Sequence, residues 1–319
     1  MKLTITHGTT VTDVTQIMST CKWSGERKRC CRTVEATLLA DRVAMELGDL
    51  LQLFDDDGAE LFEGYLVTLE RSSAESTIDL YARDRGIYLN NNQITTKAKN
   101  TTPEAVAASV CSQLGIPVGT LAATNWRFSR IFSGVTAYDA IMTGYTLAGA
   151  KNKKTYILTF SGGKLSVTEQ QDPASALVVQ SKSNLQDAVY RESIESLVNS
   201  VEVRDKNDKV VRTVQDADSI ALYGVMRRIV KQSGKDDKDA EADKILKENK
   251  MERSATVNCL GDTRLVTGGA VIVHEEKTGL NGLFYIEGDT HQWRNNVYTC
   301  KLTLAFERIM DERTAGSEK

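Results

Sequence analysis

The sequence predicts an α+β protein that is predominantly antiparallel β. Three features carry this prediction: period-two alternation through most of the first ninety residues, its return after residue 195, and two capped helices in between. Alternation sends one set of side chains into a core and the other toward water or a partner. We expect two β-barrels separated by an α+β module, with a helical insertion in the second barrel.

Residues 1–92 are predicted to form the first barrel. The Asp57-Gly58 pair is a hairpin signal, because glycine supplies the positive φ that a tight turn requires. Short strands at regular spacing, separated by turn signals, are typical of a small antiparallel barrel or sandwich. Six segments carry the strand pattern, at 1–6, 10–22, 32–39, 48–54, 60–70 and 75–83.

Residues 93–190 are predicted to form the α+β module. Thr102-Pro103 places a capping hydroxyl before a proline at the first helical position. A second helix is expected to start after Thr136 and to end around Gly149, where glycine favours termination. A hairpin is expected at 156–168, turning at Ser161-Gly162-Gly163.

The rest of the chain is predicted to form the second barrel and a tail. Strand patterns at 191–232 and 254–310 give the first and second parts of this barrel. Between them, residues 233–253 are polar and helix-favouring, so a helical insertion is expected. Residues 311–319 are expected to be a flexible tail.

Composition bounds the classes of function. A length of 319 residues favours two or three cores, and a net charge of −3 argues against nucleic-acid binding by the whole chain. No apolar run approaches the roughly 20 residues of a membrane helix. The N-terminus alternates like a strand rather than holding a signal-peptide core. We expect synthesis in the cytosol without membrane insertion.

The cysteines and acidic runs give no metal site and no cofactor site. The spacings of the cysteines fit no zinc-binding pattern, so free and mostly buried thiols are expected. The run that starts at Asp55 lacks a calcium ligand at the twelfth position, where Leu66 stands. The six cysteines are Cys21, Cys30, Cys31, Cys111, Cys259 and Cys300.

Two acid–imidazole neighbours are candidates for catalysis. His274 precedes Glu275, and Asp289 lies two residues before His291. Adjacent residues of a strand face opposite ways, and no motif places a base beside a nucleophile or a metal. We therefore assign no catalytic residue and expect no enzymatic activity.

The segment after Trp23 carries the candidate interface. A turn is expected at Ser24-Gly25, and four cations follow within a few residues. One interpretation is a solvated strand mouth. The other is an electrostatic docking surface, because cations at this density repel one another unless a partner offsets them. The candidate interface residues are Trp23, Arg27, Lys28, Arg29 and Arg32.

The order of motifs along nearly the whole chain resembles the XkdQ/YqbQ-type tail proteins of phages and defective prophages. Each motif alone is weakly specific, whereas their order and spacing together are more so. The motifs are Trp23-Ser24-Gly25 with the basic run, the strand Arg32 to Leu38, Gly64 to Val67, Tyr81 to Asn91, Tyr138 to Ile141, the hairpin Tyr156 to Val167, Tyr223-Gly224-Val225, Ala242 to Glu248, Leu260-Gly261-Asp262, Gly282 to Glu287, and Asp289-Thr290-His291.

That family is similar to the baseplate hub of contractile tails and to the N-terminal hub part of type VI secretion spike proteins. The resemblance implies two related tube-type β-barrels and a homotrimer, whose six barrels adapt a hexameric tail tube to a trimeric spike. The implied partners are the tail tube protein, the spike protein, other baseplate proteins of the LysM and wedge types, and the tape measure protein.

The resemblance also implies assembly into the baseplate of a phage or of a phage-tail-like bacteriocin. Some relatives carry a fused peptidoglycan-cleaving domain, for which this chain has no spare segment, so a structural role is expected. Two alternatives remain open. One is a cell-wall hydrolase that uses His274, Glu275, Asp289 or His291, and the other is a receptor- or carbohydrate-binding protein at the tail tip.

Overall fold

A computed structural model describes residues 1–39, 43–170, 176–232 and 239–318. The chain divides into two compact units. The first unit comprises Met1–Ala188 and Thr256–Lys319, and the second comprises Val189–Ala255. The predicted fold class is confirmed, since the fold is mostly antiparallel β with a curled half-barrel sheet.

The first ninety residues form strands close to the predicted segments, with a short 3₁₀ helix at Thr15–Ile17 that interrupts the second segment. The turn before Glu60 forms as expected: Gly58 has φ +84°, and Asp55 Oδ1 accepts hydrogen bonds from the amides of Asp57 and Ala59. The strands are β1 Lys2–His7, β2 Thr10–Asp13, β3 Met18–Glu26, β4 Thr33–Leu39, β5 Leu50–Phe54, β6 Glu60–Arg71 and β7 Thr77–Arg83.

The prediction of a turn at Ser24-Gly25 is wrong. β3 continues through both residues because it pairs with strands on both of its sides, and such tertiary pairing overrides a weak local turn signal. Cys30 and Cys31 lie after β3 and before β4, and both are buried.

The module forms with the predicted caps. Thr102 Oγ1 accepts from the amide of Ala105, and Thr136 Oγ1 accepts from the amide of Asp139. The second helix runs past Gly149 and ends where Lys153 adopts a left-handed conformation. The elements are α1 Gly86–Asn91, β8 Gln93–Thr101, α2 Pro103–Gln113, β9 Val118–Leu121, β10 Phe128–Thr136, α3 Ala137–Asn152, β11 Tyr156–Ser161 and β12 Lys164–Glu169.

The remaining elements include one strand much longer than expected. This strand, β20, spans the 15 residues Leu280–Arg294. The elements that follow are divided between the two units. The elements are β13 Leu177–Gln180, β14 Leu185–Ser193, β15 Ser200–Arg204, β16 Val210–Gln215, α4 Ala217–Tyr223, β17 Arg227–Lys231, α5 Asp239–Glu248, β18 Glu252–Leu260, β19 Ala270–Glu275, β20 Leu280–Arg294 and β21 Val297–Ala305.

One 13-stranded sheet organises the fold. Its order is β14-β18-β21-β20-β3-β4-β7-β6-β5-β1-β2, with β19 beside β20 and β13 beside β19. The strands predicted for the two barrels therefore belong to one sheet. The two sets of strands are joined where β3 pairs antiparallel with β20, with Trp23 opposite His291. Beneath the first strands lies an aliphatic core that includes Leu3, Leu38 and Leu51.

The assignment of 191–232 to the barrel of 254–310 is corrected by the sheet topology. β15, β16 and β17 form their own three-stranded sheet, and α5 packs on it through Ala242, Ile245 and Leu246. The predicted helix at 233–253 is thus present over Asp239–Glu248, while residues 233–238 lie outside the described part of the chain.

The expectation of a flexible tail at 311–319 is also corrected for residues 311–318. Tyr138 donates to the carboxylate of Asp311 at 2.7 Å, and Ser317 forms a bridge with Ile131. The buried Arg130 guanidinium donates to the carbonyls of Ala315 and Gly316. These contacts are polar and join residues far apart in the sequence, so an apolar pattern in the sequence could not have signalled them.

We expect a chain that ends at Met310 to be less stable than the full chain by about 2–4 kcal/mol, because Arg130 and Tyr138 would lose buried hydrogen-bond partners. Urea unfolding measures the difference. A chain that ends at Ser317 is the matched control, since it keeps every contact named above. Equal stability of the Met310 chain and the full chain would contradict the docked tail.

Candidate functional site

The structure separates the five candidate interface residues into two groups. Trp23 and Arg27 are buried and the Arg32 side chain is 19% exposed, whereas the Lys28 and Arg29 side chains are 64% and 71% exposed. Arg27 donates to the carbonyl of Tyr156 and to Gln170 Oε1. Three of the five side chains are therefore packed inside the protein, and the side chains of Lys28 and Arg29 face solvent.

Arg32 lies at the junction of β3 and β20. Its guanidinium donates to both carboxylate oxygens of Asp289, at 3.0 and 2.5 Å, and stacks 4.0 Å from the centre of the Trp23 ring. Gly25 lies opposite Asp289, and a Cβ at this position would overlap the guanidinium. Glycine is required here for close approach, not for a turn.

Asp289 is the most heavily bonded carboxylate of the site. Besides Arg32, it accepts hydrogen bonds at 2.6 Å from both the amide and the hydroxyl of Thr267. Burial alone would raise its pKa, but Arg32 and His291 outweigh burial and hold the pKa of Asp289 well below its usual range. The carboxylate is ionised and fully buried.

His291 continues this network into the core. Its Nε2 lies 3.3 Å from Asp289 and 3.2 Å from the carbonyl of Leu265, while Nδ1 lies 2.7 Å from the Tyr298 hydroxyl and 3.1 Å from Cys300 Sγ. Burial would lower the pKa of His291, but the hydrogen bonds with Asp289 and Cys300 give a net upward shift. An imidazolium between two acidic groups is favoured.

The order Asp289, His291, Cys300 matches that of an acid–base–nucleophile triad. Cys300 is 1% exposed and His291 and the Asp289 side chain are 0% exposed, so no substrate atom can reach the thiol in this conformation. The arrangement therefore supports an internal charge network rather than hydrolysis.

The contact between Cys300 and His291 was not predicted, although the Asn295-Asn296 pair is a turn signal in the sequence. Asn295 and Asn296 both have positive φ, as in a two-residue hairpin turn. Counting outward from that turn places Cys300 directly opposite His291, as observed. The contact of Arg32 with Asp289 had no such local signal.

The other histidine candidate is not brought to this site. His274 is exposed near the end of β19. Glu275 is buried and accepts hydrogen bonds from the amides of Lys277 and Thr278, so it shapes the turn that follows the strand. Neither residue converges on Asp289 or His291.

A groove of about 570 Å³ borders the exposed cations. Lys28, Arg29, Arg83 and Arg313 contribute to its lining, together with Asp139. Arg29 pairs with Glu26 at 2.8 Å, and Lys28 approaches Glu287 at 3.9 Å. Exposed pairs of this kind are weak and can be exchanged for contacts with a partner.

One group among the described residues has the composition of a metal site. His7, Glu46 and Asp49 have ligand atoms within 4.8 Å of one another. Asp49 Oδ2 already accepts from the amide of Glu46 and lies 2.9 Å from His7 Nδ1. These hydrogen bonds account for the cluster, so we assign no metal to it. Among the described residues, none of the helices has the length and apolar character of a membrane-spanning segment.

Comparison with known proteins identifies a family and a fold. A sequence model of a family described as YQBQ-like matches residues 21–305. No curated protein matches the chain. The 43 kDa tail protein of prophage MuSo2 from Shewanella oneidensis aligns with a TM-score of 0.73 and 15% identity, over 96% of this chain and 98% of that chain.

Two further structures are similar. A tail protein from Neisseria meningitidis MC58 gives a TM-score of 0.67 at 15% identity, over 95% of each chain. An Escherichia coli component of the type VI secretion system gives 0.55 at 9% identity, over 94% of this chain and 76% of that chain. At these identities the common property is the fold.

Substitution of Gly25 by alanine is expected to displace the Arg32 guanidinium from Asp289 and to cost about 3 kcal/mol or more, because a buried charge loses its partner. Chemical denaturation measures the loss. Gly288→Ala is the matched control, since the nearest atom to a Cβ there lies 3.5 Å away. Equal effects of the two substitutions would contradict the close-approach argument.

The charge network also predicts a pH dependence. Because the pKa of Asp289 is lowered, its contribution to stability is complete above about pH 4 and is lost as the pH falls. Because the pKa of His291 is raised, its contribution is complete below about pH 6.5 and is lost as the pH rises through the folded value.

The combined contribution of Asp289 and His291 to stability in urea is therefore expected to be greatest between about pH 4 and 6.5. Asp289→Asn should lower stability at every pH and should flatten the acid side of the profile. An acid side equally steep in the variant would assign the pH dependence to other groups.

Proposed function

This chain belongs to the YQBQ-like family, and on that premise we propose that it is a structural baseplate hub protein at the tip of a contractile tail. The particle is a phage or a phage-tail-like bacteriocin, assembled in the bacterial cytoplasm. The observation that carries the proposal is fold similarity to a prophage tail protein over 96% of this chain and 98% of the other. A shared fold raises the expectation of a shared role without establishing it.

Three copies form a ring in this proposal. We take β1–β7 and β18–β21 of the shared sheet as two similar portions of each chain, so that a trimer would present six such surfaces to a hexameric tail tube and threefold symmetry to the spike. Obligate interfaces of this kind bury on the order of 2,000–5,000 Å². The tail tube protein and the spike protein are the main partners, with other baseplate proteins of the LysM and wedge types and the tape measure protein as further ones.

Exposed apolar residues in the second unit support contacts with other chains. Leu222 and Val225 are 75% and 57% exposed, and α4 contains no buried residue. A helix this short has little stability of its own. Buried Asn199 holds the segment in place, since its side chain donates to the carbonyl of Gly224 and accepts from the amide of Met226.

A structural role is preferred over hydrolysis because the thiol, imidazole and carboxylate of the triad-like network are buried. The sequence candidates His274 and Glu275 lie apart from that network. A receptor- or carbohydrate-binding role lacks support from the described residues, since the tryptophans Trp23, Trp126 and Trp293 are buried or partly buried instead of forming an exposed platform.

The mass of the purified chain, alone and mixed with the tail tube and spike proteins of the same particle, tests the proposal. We expect a species of three times the 35.2 kDa chain mass, or trimer formation when the spike or tube is added. Electron microscopy of tails carrying a labelled chain should place the label at the tip. A monomer that never enters tail particles would overturn the proposal.

The combined charge reversal Lys28→Glu and Arg29→Glu tests the exposed part of the candidate interface. We expect unchanged folding and reduced incorporation into tails, because the groove would lose its attraction for an acidic partner surface. The matched control reverses the exposed Lys97 and Lys99 of β8. Normal incorporation of the Lys28 and Arg29 variant would favour the solvated interpretation.

A further inference from the structure

The core of the sheet contains a pair of cysteines on neighbouring strands. Cys259 near the end of β18 and Cys300 on β21 are both free and buried. β18 and β21 are adjacent in the sheet, and the amide of Gly261 donates to the carbonyl of Tyr298 at 2.9 Å. Opposite residues of adjacent strands lie within the Cα separation that a disulfide spans.

The surroundings make one thiol of the pair nucleophilic. His291 Nδ1 lies 3.1 Å from Cys300 Sγ, and Asp289 and Leu265 hold the other ring nitrogen. A hydrogen bond from Cys259 lowers the pKa of Cys300, and burial opposes this effect. With the further lowering by His291, the pKa of Cys300 falls to about 5. Arg32 and His291 together balance the charges of Asp289 and a Cys300 thiolate, so the buried set is neutral.

The half-buried Tyr298 side chain lies beside the imidazole that contacts Cys300. Tyr298 is half-buried and lies against Gly261, and the carbonyl of Asp262 contacts Cys300 Sγ at 3.8 Å. A movement of the Tyr298 ring would therefore admit a small oxidant. The other cysteines lack this combination: burial raises the pKa of Cys21 to about 12 and that of Cys111 to about 11.

We propose that Cys259 and Cys300 are an oxidation site that forms a cross-strand disulfide on exposure to peroxide. The Cys300 thiolate attacks one peroxide oxygen: a sulfur–oxygen bond forms, the oxygen–oxygen bond breaks, and the departing hydroxide takes a proton from His291 to leave as water. Cys259 then attacks the sulfenic sulfur: the sulfur–sulfur bond forms, and a second water leaves with the Cys259 proton. Both sulfurs are oxidised and the peroxide is reduced.

This inference concerns the chain alone and stands whether or not the proposed tail function is correct. Under that function, it gives a protein that folds with free thiols in the reducing cytosol and is cross-linked after release from the cell. The disulfide would join β18 to β21 and restrain the unfolded chain between them, which raises stability.

The test treats the full chain with hydrogen peroxide and maps cysteines by alkylation and non-reducing peptide mass spectrometry. We expect a linked Cys259–Cys300 peptide, two hydrogens lighter than the reduced pair, and a rise in Tm of several degrees that a dithiol reverses. Cys259→Ser should leave Cys300 as a sulfenic acid that dimedone traps, because the resolving thiol is absent. Cys111→Ser is the matched control and should still form the disulfide.

His291 is the proton donor in this step and also favours the Cys300 thiolate. His291→Gln should slow peroxide consumption at pH 6 to 7 by about tenfold or more, and raising the pH should restore the rate as the thiolate forms without the imidazolium. Should this variant fold poorly, Cys259→Ser and Cys111→Ser still decide the question. Retention of both thiols under peroxide, or preferential oxidation of Cys21, Cys30, Cys31 or Cys111, would overturn the proposal.

Discussion

The ion pair between Arg32 and Asp289 holds together two parts of the chain that are far apart in sequence. It lies where β3 meets β20, and it is surrounded by the Trp23 ring, the Gly25 backbone and the Thr267 hydroxyl. A buried carboxylate without its partner costs several kcal/mol, so the pair makes any other register of these strands unfavourable. Its main contribution is specificity of strand pairing, because exchange of a buried ion pair for apolar groups can leave stability unchanged.

The same network explains how a triad-like arrangement occurs in a protein proposed to be structural. Asp289 must be ionised to hold Arg32, and an ionised buried carboxylate favours a charged imidazole at His291. That imidazolium in turn favours a thiolate at Cys300. Each charge follows from its neighbour, and catalysis is not needed to account for the geometry.

Local signals in the sequence predicted local structure well, and distant pairings were beyond them. The turn at Gly58, the caps Thr102 and Thr136, and the hairpin turn with positive φ at Gly162 and Gly163 all formed as expected, because each depends on a few adjacent residues. The pairing of β3 with β20 depends on residues such as Ser24 and Thr290, which are 266 positions apart. The separate sheet of β15, β16 and β17 was missed because its strands have the same alternation as those of the main sheet.

The position of β3 between β4 and β20 has a consequence for synthesis. β3 emerges early from the ribosome, and its β4 side can pair while the chain is still growing, but its other side has no partner until β20 has been made. For most of translation the nascent protein therefore carries an open strand edge that includes Trp23, and such edges invite association between molecules. Prematurely terminated copies of this chain should consequently be insoluble or chaperone-bound, even when all the residues before β20 are intact.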